Sequence, residues 1–589
     1  MTTTFDVQLG PRPAVLRWAA GALWWIEHEF ERARAEGRAD DAKLRIFFIT
    51  VIFGLAFLSL AIGATRAALF AARADGDEAA AQPQGARADL TDRNGQLLAV
   101  DLPYYGLYVN RDDIWDVEET RRRLAPFLPP ASILRLEKTL AAHKRTQVMS
   151  SLTPQQKAAI ADMGLPGISF EPEARRNYPL GSTAAHLIGF AGQGGAGVSG
   201  IELALDKTIR AQAGQGPLAL SIDLRVQAAL EDEVIRAAVD NRAAAAVGIV
   251  TNVRTGEVLG LVSYPDYNPN AIGASDLSNQ VNHAAASVYE MGSIFKVFSV
   301  ATGLDSGSAT LSSTFDARYP LTFGGNTIHD YHAENKIMTL AEVFEHSSNI
   351  GTSRLALLIG RDNFTKYFRN FGLFAPAPIE LTESRAPFPA TLFKPTAKWA
   401  DVTVATVSFG HGMAVTPLAV AASMGGILNG GNYVPLTVLK RDPNQPIKGR
   451  RVVSEQTSRT MLELMRMNAE HGTGSKAEAE APGLRIGGKT GTADKAENGH
   501  YGTGKKVSSF ASIFPSDGPI NADRYFVLVL LDEPHGTAQS GGVATGGMVS
   551  APPAGRVINR IAPFLGVSRF AVAPKVLDAA TEKMIGAEQ

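Results

Sequence analysis

Three short strings, in one order, hold residues able to carry out acyl transfer: Ser293-Ile294-Phe295-Lys296, Ser347-Ser348-Asn349 and Lys489-Thr490-Gly491-Thr492. Ser293 is the only serine with a lysine three residues on, and the Ser-x-Asn and Lys-Thr-Gly strings each occur once. A serine hydroxyl is a weak nucleophile at neutral pH and needs a base within hydrogen-bond reach. If Ser293 opens a helix, the spacing puts Lys296 one turn later on the same face. A lysine serves as base only when its pKa is depressed. Burial and a second cation, for which Lys489 is the candidate, both push in that direction. Ser347 is expected to pass protons, and Asn349 to hold a substrate amide.

The lead-in Arg485-Ile486-Gly487-Gly488 predicts that Lys489-Thr490-Gly491 lies on an edge strand, with Thr490 and Thr492 alternating onto one face. The small Gly491 is expected to let a substrate backbone come close. Lys489 offers charge to an anionic terminus, and Thr490 and Thr492 offer hydroxyls. The backbone amides of Ser293 and Thr492 are the expected oxyanion hole, a function that suits backbone donors aimed where negative charge develops.

These strings need a scaffold, and 589 residues allow two to four domains. Ile46 to Thr65 is an uncharged, nearly unbroken apolar run bounded by Arg45 and Arg66, long enough for a bilayer core. The segment ahead of it is too long and too acidic for a signal peptide, so an uncleaved anchor is expected. Arg32, Arg34, Arg38, Lys43 and Arg45 outnumber Arg66 and Arg73, which places residues 1–45 in the cytoplasm and the rest outside. A linker and a non-catalytic pedestal are expected over 66–217. Over 218–573 the expectation is an α+β catalytic domain, an antiparallel sheet with a helical cluster and the site between them. Its strands are read at 247–251, 258–262, 484–492, 507–514 and 525–531, its helices mainly over 282–428, and 574–589 is read as a tail.

Several other signals are weaker. A net charge of −1 and the lack of a basic stripe argue against nucleic acid. The absence of cysteine excludes disulfides and thiol chemistry. Gly192 to Gly197 fits G-x-G-x-x-G but lacks a convincing preceding strand, and Gly502-Thr503-Gly504-Lys505 lacks the hydroxyl of a P-loop. His329-Asp330-Tyr331-His332 has too few partners for a metal site and is read as a loop near the cleft. No metal or organic cofactor is expected.

The three strings together resemble those of the penicillin-binding proteins and serine β-lactamases. Tyr289-Glu290-Met291-Gly292-Ser293 resembles the family's lead-in to the nucleophile, with methionine where proline is usual. Asp92-Arg93-Asn94-Gly95, Arg176 to Gly181 and Gly200-Ile201-Glu202 are similar to the pedestal motifs of class B penicillin-binding proteins. Gly410-His411-Gly412, Gly472-Thr473-Gly474 and Gly547 to Pro552 look most like the division-specific branch, with the elongation-specific transpeptidase as the alternative. The resemblance implies a membrane-anchored peptidoglycan D,D-transpeptidase in which Ser293 attacks a D-Ala-D-Ala stem peptide and a neighbouring amine resolves the ester. It further implies acylation by β-lactams and contact with a polytopic glycan polymerase and other division proteins. A hydrolase, and a scaffold or β-lactam sensor, are the rival readings.

Overall fold

The computed structural model describes residues 86–192, 194–394, 397–495, 501 and 504–570, with 24, 28, 31, 32, 35, 49–63 and 65. The chain divides into two units, Met1–Gln82 and Pro83–Gln589. In the first, residues 49–63 are helical. At 1.5 Å per residue that stretch reaches about 22 Å, against roughly 30 Å of hydrocarbon. Among the described residues no helix is long and apolar enough to cross a membrane. Residues 46–48 and 64 of the expected anchor, most of 1–45, the linker to 85 and the tail 574–589 lie outside the described residues.

The second unit opens with the pedestal. Its sheet contains β1 (Leu90–Thr91), β2 (Leu97–Val109), β3 (Thr146–Leu152), β4 (Ile168–Asn177) and β5 (Leu218–Ala219). Strand β2 pairs antiparallel with β1, β3 and β4, and β1 pairs parallel with β5. The backbone thus returns to the first strand at 218–219, the first residues of the span expected to be catalytic. Helices Val117–Leu124 and Pro130–Ala142 pack Leu124, Leu136 and Leu140 against Leu107, Val109 and Val148. Glu202, fully buried, receives Arg87 at 2.6 Å and Arg176 at 2.7 Å. Arg176 also meets Asp101 at 3.1 Å. This ion network holds the end of β4 to the segments around 87 and 202. The segment ahead of Gly192 is a short helix, Ala185–Ile188, where a dinucleotide fingerprint needs a strand.

The catalytic domain is built on a five-stranded antiparallel sheet: β6 (Ala245–Asn252), β7 (Val258–Tyr264), β8 (Gly487–Asp494), β9 (Lys506–Phe514) and β10 (Tyr525–Asp532). The spatial order is β8-β9-β10-β6-β7, which leaves β8 at an edge. Both faces are covered, and so β10 is an unbroken apolar run in place of an alternating one. Phe526, Leu528 and Leu530 face a core shared with Phe295, Phe298 and Met424. Val527, Val529 and Leu531 face the other core, with Leu230 and Val234 of α1 (Leu224–Asp240) and Val557 and Ile558 of the C-terminal helix Ala551–Ile561. The first core seats α2 (Lys296–Asp305), whose Phe298 meets Phe368 and Phe371 at ring distances of 6.2 and 5.7 Å. Helices α3 (Leu340–Glu345) and α4 (Asn349–Ile359) complete the surroundings of the site.

Glu202→Ala would leave two buried guanidinium groups without their shared carboxylate, a change that costs about 3–5 kcal/mol. Hydrogen exchange should show β2 and β4 losing protection while β9 and β10 keep theirs.

Candidate active site

Tyr289–Glu290 pairs with Ala414–Val415 and delivers the chain into a tight turn, Gly292–Phe295, that runs straight into α2. Gly292 adopts φ +52°, and a Cβ there would lie 2.5 Å from the Thr492 carbonyl oxygen. Only a glycine lets this turn rest directly on β8. Ser293 therefore sits beside the Thr492 backbone at the wall of a cleft of about 690 Å³, which Ser347, Asn349, Thr490 and Thr492 also line.

Ser347 occupies the three-residue junction between α3 and α4. Thr339 and Glu342 cap α3 reciprocally, and Ser348 caps α4 by accepting from the Gly351 amide. To join two helices this closely, Ser347 takes the left-handed conformation, φ 57°, at a strain of about 1 kcal/mol or more. Asp330 holds the junction in place: its carboxylate accepts from the Ser348 hydroxyl at 2.7 Å and the Ile350 amide at 2.9 Å.

The two lysines are completely buried. Lys296 Nζ lies 3.0 Å from Ser293 Oγ and donates to Asn349 Oδ1 at 2.8 Å and to the Ser347 carbonyl. Two N–H groups are thus taken by oxygens that can only accept, so in the neutral amine the lone pair is left for the neighbouring hydroxyls, Ser293 Oγ and Ser347 Oγ. Burial drives the Lys296 pKa well down, and the Lys489 charge adds to the shift while Asp330 opposes it. Lys489 donates to Ser347 Oγ at 2.9 Å, and burial lowers its pKa to about 7. Ser347 Oγ, 3.1 Å from Lys296 Nζ, is therefore shared by two amines.

The predicted site residues come together around the cleft, with Lys489 and Gly491 acting otherwise than expected. Lys489 lies under the cleft and reaches its contents through Ser347 and by its field. Gly491 does not face the cleft: a Cβ there would come within 2.4 Å of the Met291 carbonyl and 2.5 Å of Ser509 Oγ, so its smallness serves the nucleophile turn and not a substrate backbone. Asn349 gives an N–H to the His329 carbonyl at 2.9 Å and has one left for a ligand. Thr490 shares a hydrogen bond of 2.7 Å with Thr473, a residue that sequence reasoning quoted only within a glycine motif. Asp330 was missed as the anchor of the junction. Its one signal was its place in the polar His329–His332 string.

Residues 246–552 match the penicillin-binding protein transpeptidase domain, and residues 82–226 the penicillin-binding protein dimerisation domain. The chain is 52% identical over 566 residues, 95% of each chain, to a protein of Caulobacter vibrioides named probable peptidoglycan D,D-transpeptidase FtsI. The chain belongs to the class B penicillin-binding proteins. Escherichia coli peptidoglycan D,D-transpeptidase FtsI is 31% identical to this penicillin-binding protein over 82% of the chain and 84% of its own length. Among solved structures, penicillin-binding protein 3 of Mycobacterium tuberculosis complexed with aztreonam shares the fold at a TM-score of 0.63 and 23% identity, over 83% of this chain and 98% of that one. A peptidoglycan synthetase of Bifidobacterium adolescentis does so at 0.65 and 22%, over 84% and 98%.

The depressed pKa of Lys489 in this penicillin-binding protein links stability to pH. The unfolded chain binds a proton at Lys489 up to about pH 10.4, and the folded chain only up to about 7. Stability therefore rises with pH between those values and does not vary with pH through this group below them, where the buried ammonium is a constant cost. In Lys489→Met this contribution vanishes. The stability difference between wild type and variant, followed by denaturant titration of the catalytic domain, should shift toward wild type from pH 7 to pH 10.

Proposed function

We propose that this chain crosslinks peptidoglycan as a septal-type D,D-transpeptidase. What supports this reading most is the position of Lys296 Nζ, 3.0 Å from Ser293 Oγ, with two of its N–H groups taken by Asn349 Oδ1 and the Ser347 carbonyl. Ser293 Oγ attacks the penultimate carbonyl of a D-Ala-D-Ala stem peptide as Lys296 takes its proton. The Ser293 and Thr492 amides receive the oxyanion. The proton reaches the leaving amine through Ser347, which touches both lysines. Asn349 orients the donor amide. Thr490 and Thr492, with the Lys489 charge behind them, take the terminal carboxylate. A stem-peptide amine then displaces Ser293 and closes the crosslink. A β-lactam presents a strained amide at the same place and acylates the same oxygen.

The same reading assigns residues 1–45 to a cytoplasmic tail, 46–65 to a membrane anchor, 66–217 to linker and pedestal, 218–573 to the transpeptidase domain and 574–589 to a tail. The apolar run bounded by Arg45 and Arg66 supports the anchor, with the catalytic domain outside the cytoplasmic membrane. The pedestal and anchor would then meet a polytopic glycan polymerase and other division proteins.

Intact mass of the full chain in detergent, after brief exposure to benzylpenicillin, should show one lasting adduct of the drug's mass that disappears in Ser293→Ala. Lys296→Arg, unable to release its proton, should acylate about 10²–10⁴-fold more slowly. A folded wild-type chain without an adduct would overturn the reading, and rapid turnover of the drug would point to a hydrolase.

A further inference from the structure

The transpeptidase reading accounts for how the serine is acylated. It leaves open how the second substrate, an amine that is protonated at neutral pH, is held and stripped of its proton. Gly410-His411-Gly412 and the end of β8 bear on this. Gly410 accepts from the Gly292 amide at 3.3 Å, and the Gly412 amide donates to Glu290 at 3.0 Å. Glu290 also accepts from the Tyr501 hydroxyl at 2.8 Å. His411 is thereby pinned at both flanks to the two residues that lead into Ser293, and it lines the same cleft as Ser293. Its ring is set between Phe409 at 5.2 Å and Tyr501 at 6.0 Å. Nδ1 is buried with no hydrogen-bond partner, so Nε2 is the ring nitrogen left to meet a ligand in the cleft.

Asp494 is the third member of a row. Thr490, Thr492 and Asp494 alternate along β8 and all line the cleft. The carboxylate is exposed and lies one pleat beyond Thr492, on the cleft that His411 also lines. We propose that Asp494 and His411 form the acceptor subsite, Asp494 holding the incoming ammonium and His411 Nε2 taking its first proton.

The ammonium gives one proton to His411 and becomes a free amine. Its nitrogen bonds to the ester carbonyl carbon of the acyl-enzyme, and the bond from that carbon to Ser293 Oγ breaks. The second proton on nitrogen returns to Ser293 Oγ through Ser347 and Lys296. His411 then releases its proton to solvent in the cleft. The charged and titratable groups facing His411 are Lys296 from α2, Asp494 from β8, Glu290 from the lead-in and Tyr501; Lys506 of β9 lies directly across the ladder from Asp494, and Asp330 lines the cleft as well. Burial sets the imidazole pKa below its usual value, and Asp494 offsets that only in part. His411 is accordingly neutral and able to accept at neutral pH.

The inference rests on the transpeptidase reading, and one set of samples separates the two. Full-length wild type, His411→Gln and Asp494→Asn in detergent would be acylated with a stem-peptide thioester and chased with a primary amino acid amine, while benzylpenicillin acylation is measured in parallel. Wild-type aminolysis should be flat with pH above about 6.5, because bound ammonium is deprotonated in place. In His411→Gln it should fall about 100-fold and rise tenfold per pH unit, following the free amine in solution. Asp494→Asn should raise the KM for the amine about tenfold with a smaller effect on the maximal rate. Should His411→Gln fail to fold, which loss of penicillin acylation would reveal, the Asp494→Asn KM carries the test. Equal pH slopes in wild type and His411→Gln, or an unchanged amine KM in Asp494→Asn, would overturn the inference while leaving the acylating serine intact. Failure of wild type to acylate would instead overturn the underlying reading.

Discussion

Two amines buried on either side of one serine hydroxyl are the constraint around which the rest is arranged. Lys296 and Lys489 both contact Ser347 Oγ, and the carboxylate that bears on Lys296, Asp330, is occupied with the α3–α4 junction instead. Had a carboxylate paired directly with Lys296, it would have kept the amine protonated and useless as a base. Charge is therefore kept at one remove, and polar acceptors hold the amines. Such a core is costly to bury, and the two hydrophobic layers around the sheet supply the compensation.

Much of this was legible in the chain. The three strings pick out Ser293, Lys296, Ser347, Asn349 and Lys489 because the chemistry demands those types and the i,i+3 spacing has one geometric meaning on a helix. The strands at 247–251, 507–514 and 525–531 are long and apolar enough to be read within two residues of their observed ends. What stayed hidden depends on contacts between distant segments. Gly491 read as a gap for substrate because its true neighbour, the Met291 carbonyl, lies some 200 residues earlier. Asp330 carried no motif, since its partners are a backbone amide and a cap hydroxyl. Thr473 and Thr490 become a pair only once the edge strand is laid against its neighbours.

The sheet shows a related limit. An antiparallel strand with one wet face announces itself by alternation, but β10 has none because helices cover both sides. Its period is restored only after the two cores are separated, with Phe526, Leu528 and Leu530 on one side and Val527, Val529 and Leu531 on the other. The order β8-β9-β10-β6-β7 likewise follows from which faces are buried, and it is what leaves the Lys-Thr-Gly strand open along one side.

The contacts of Ser347 span 51 residues to Lys296 and 142 residues to Lys489. Nothing local brings these groups together, and closing such loops precedes any reward from the contacts they permit. A nascent or partly unfolded chain thus carries an inert Ser293, as unreactive as any other hydroxyl. Covalent capture of a β-lactam is consequently a census of finished molecules: the drug labels only those chains in which the whole span from the nucleophile to the edge strand has reached its native arrangement.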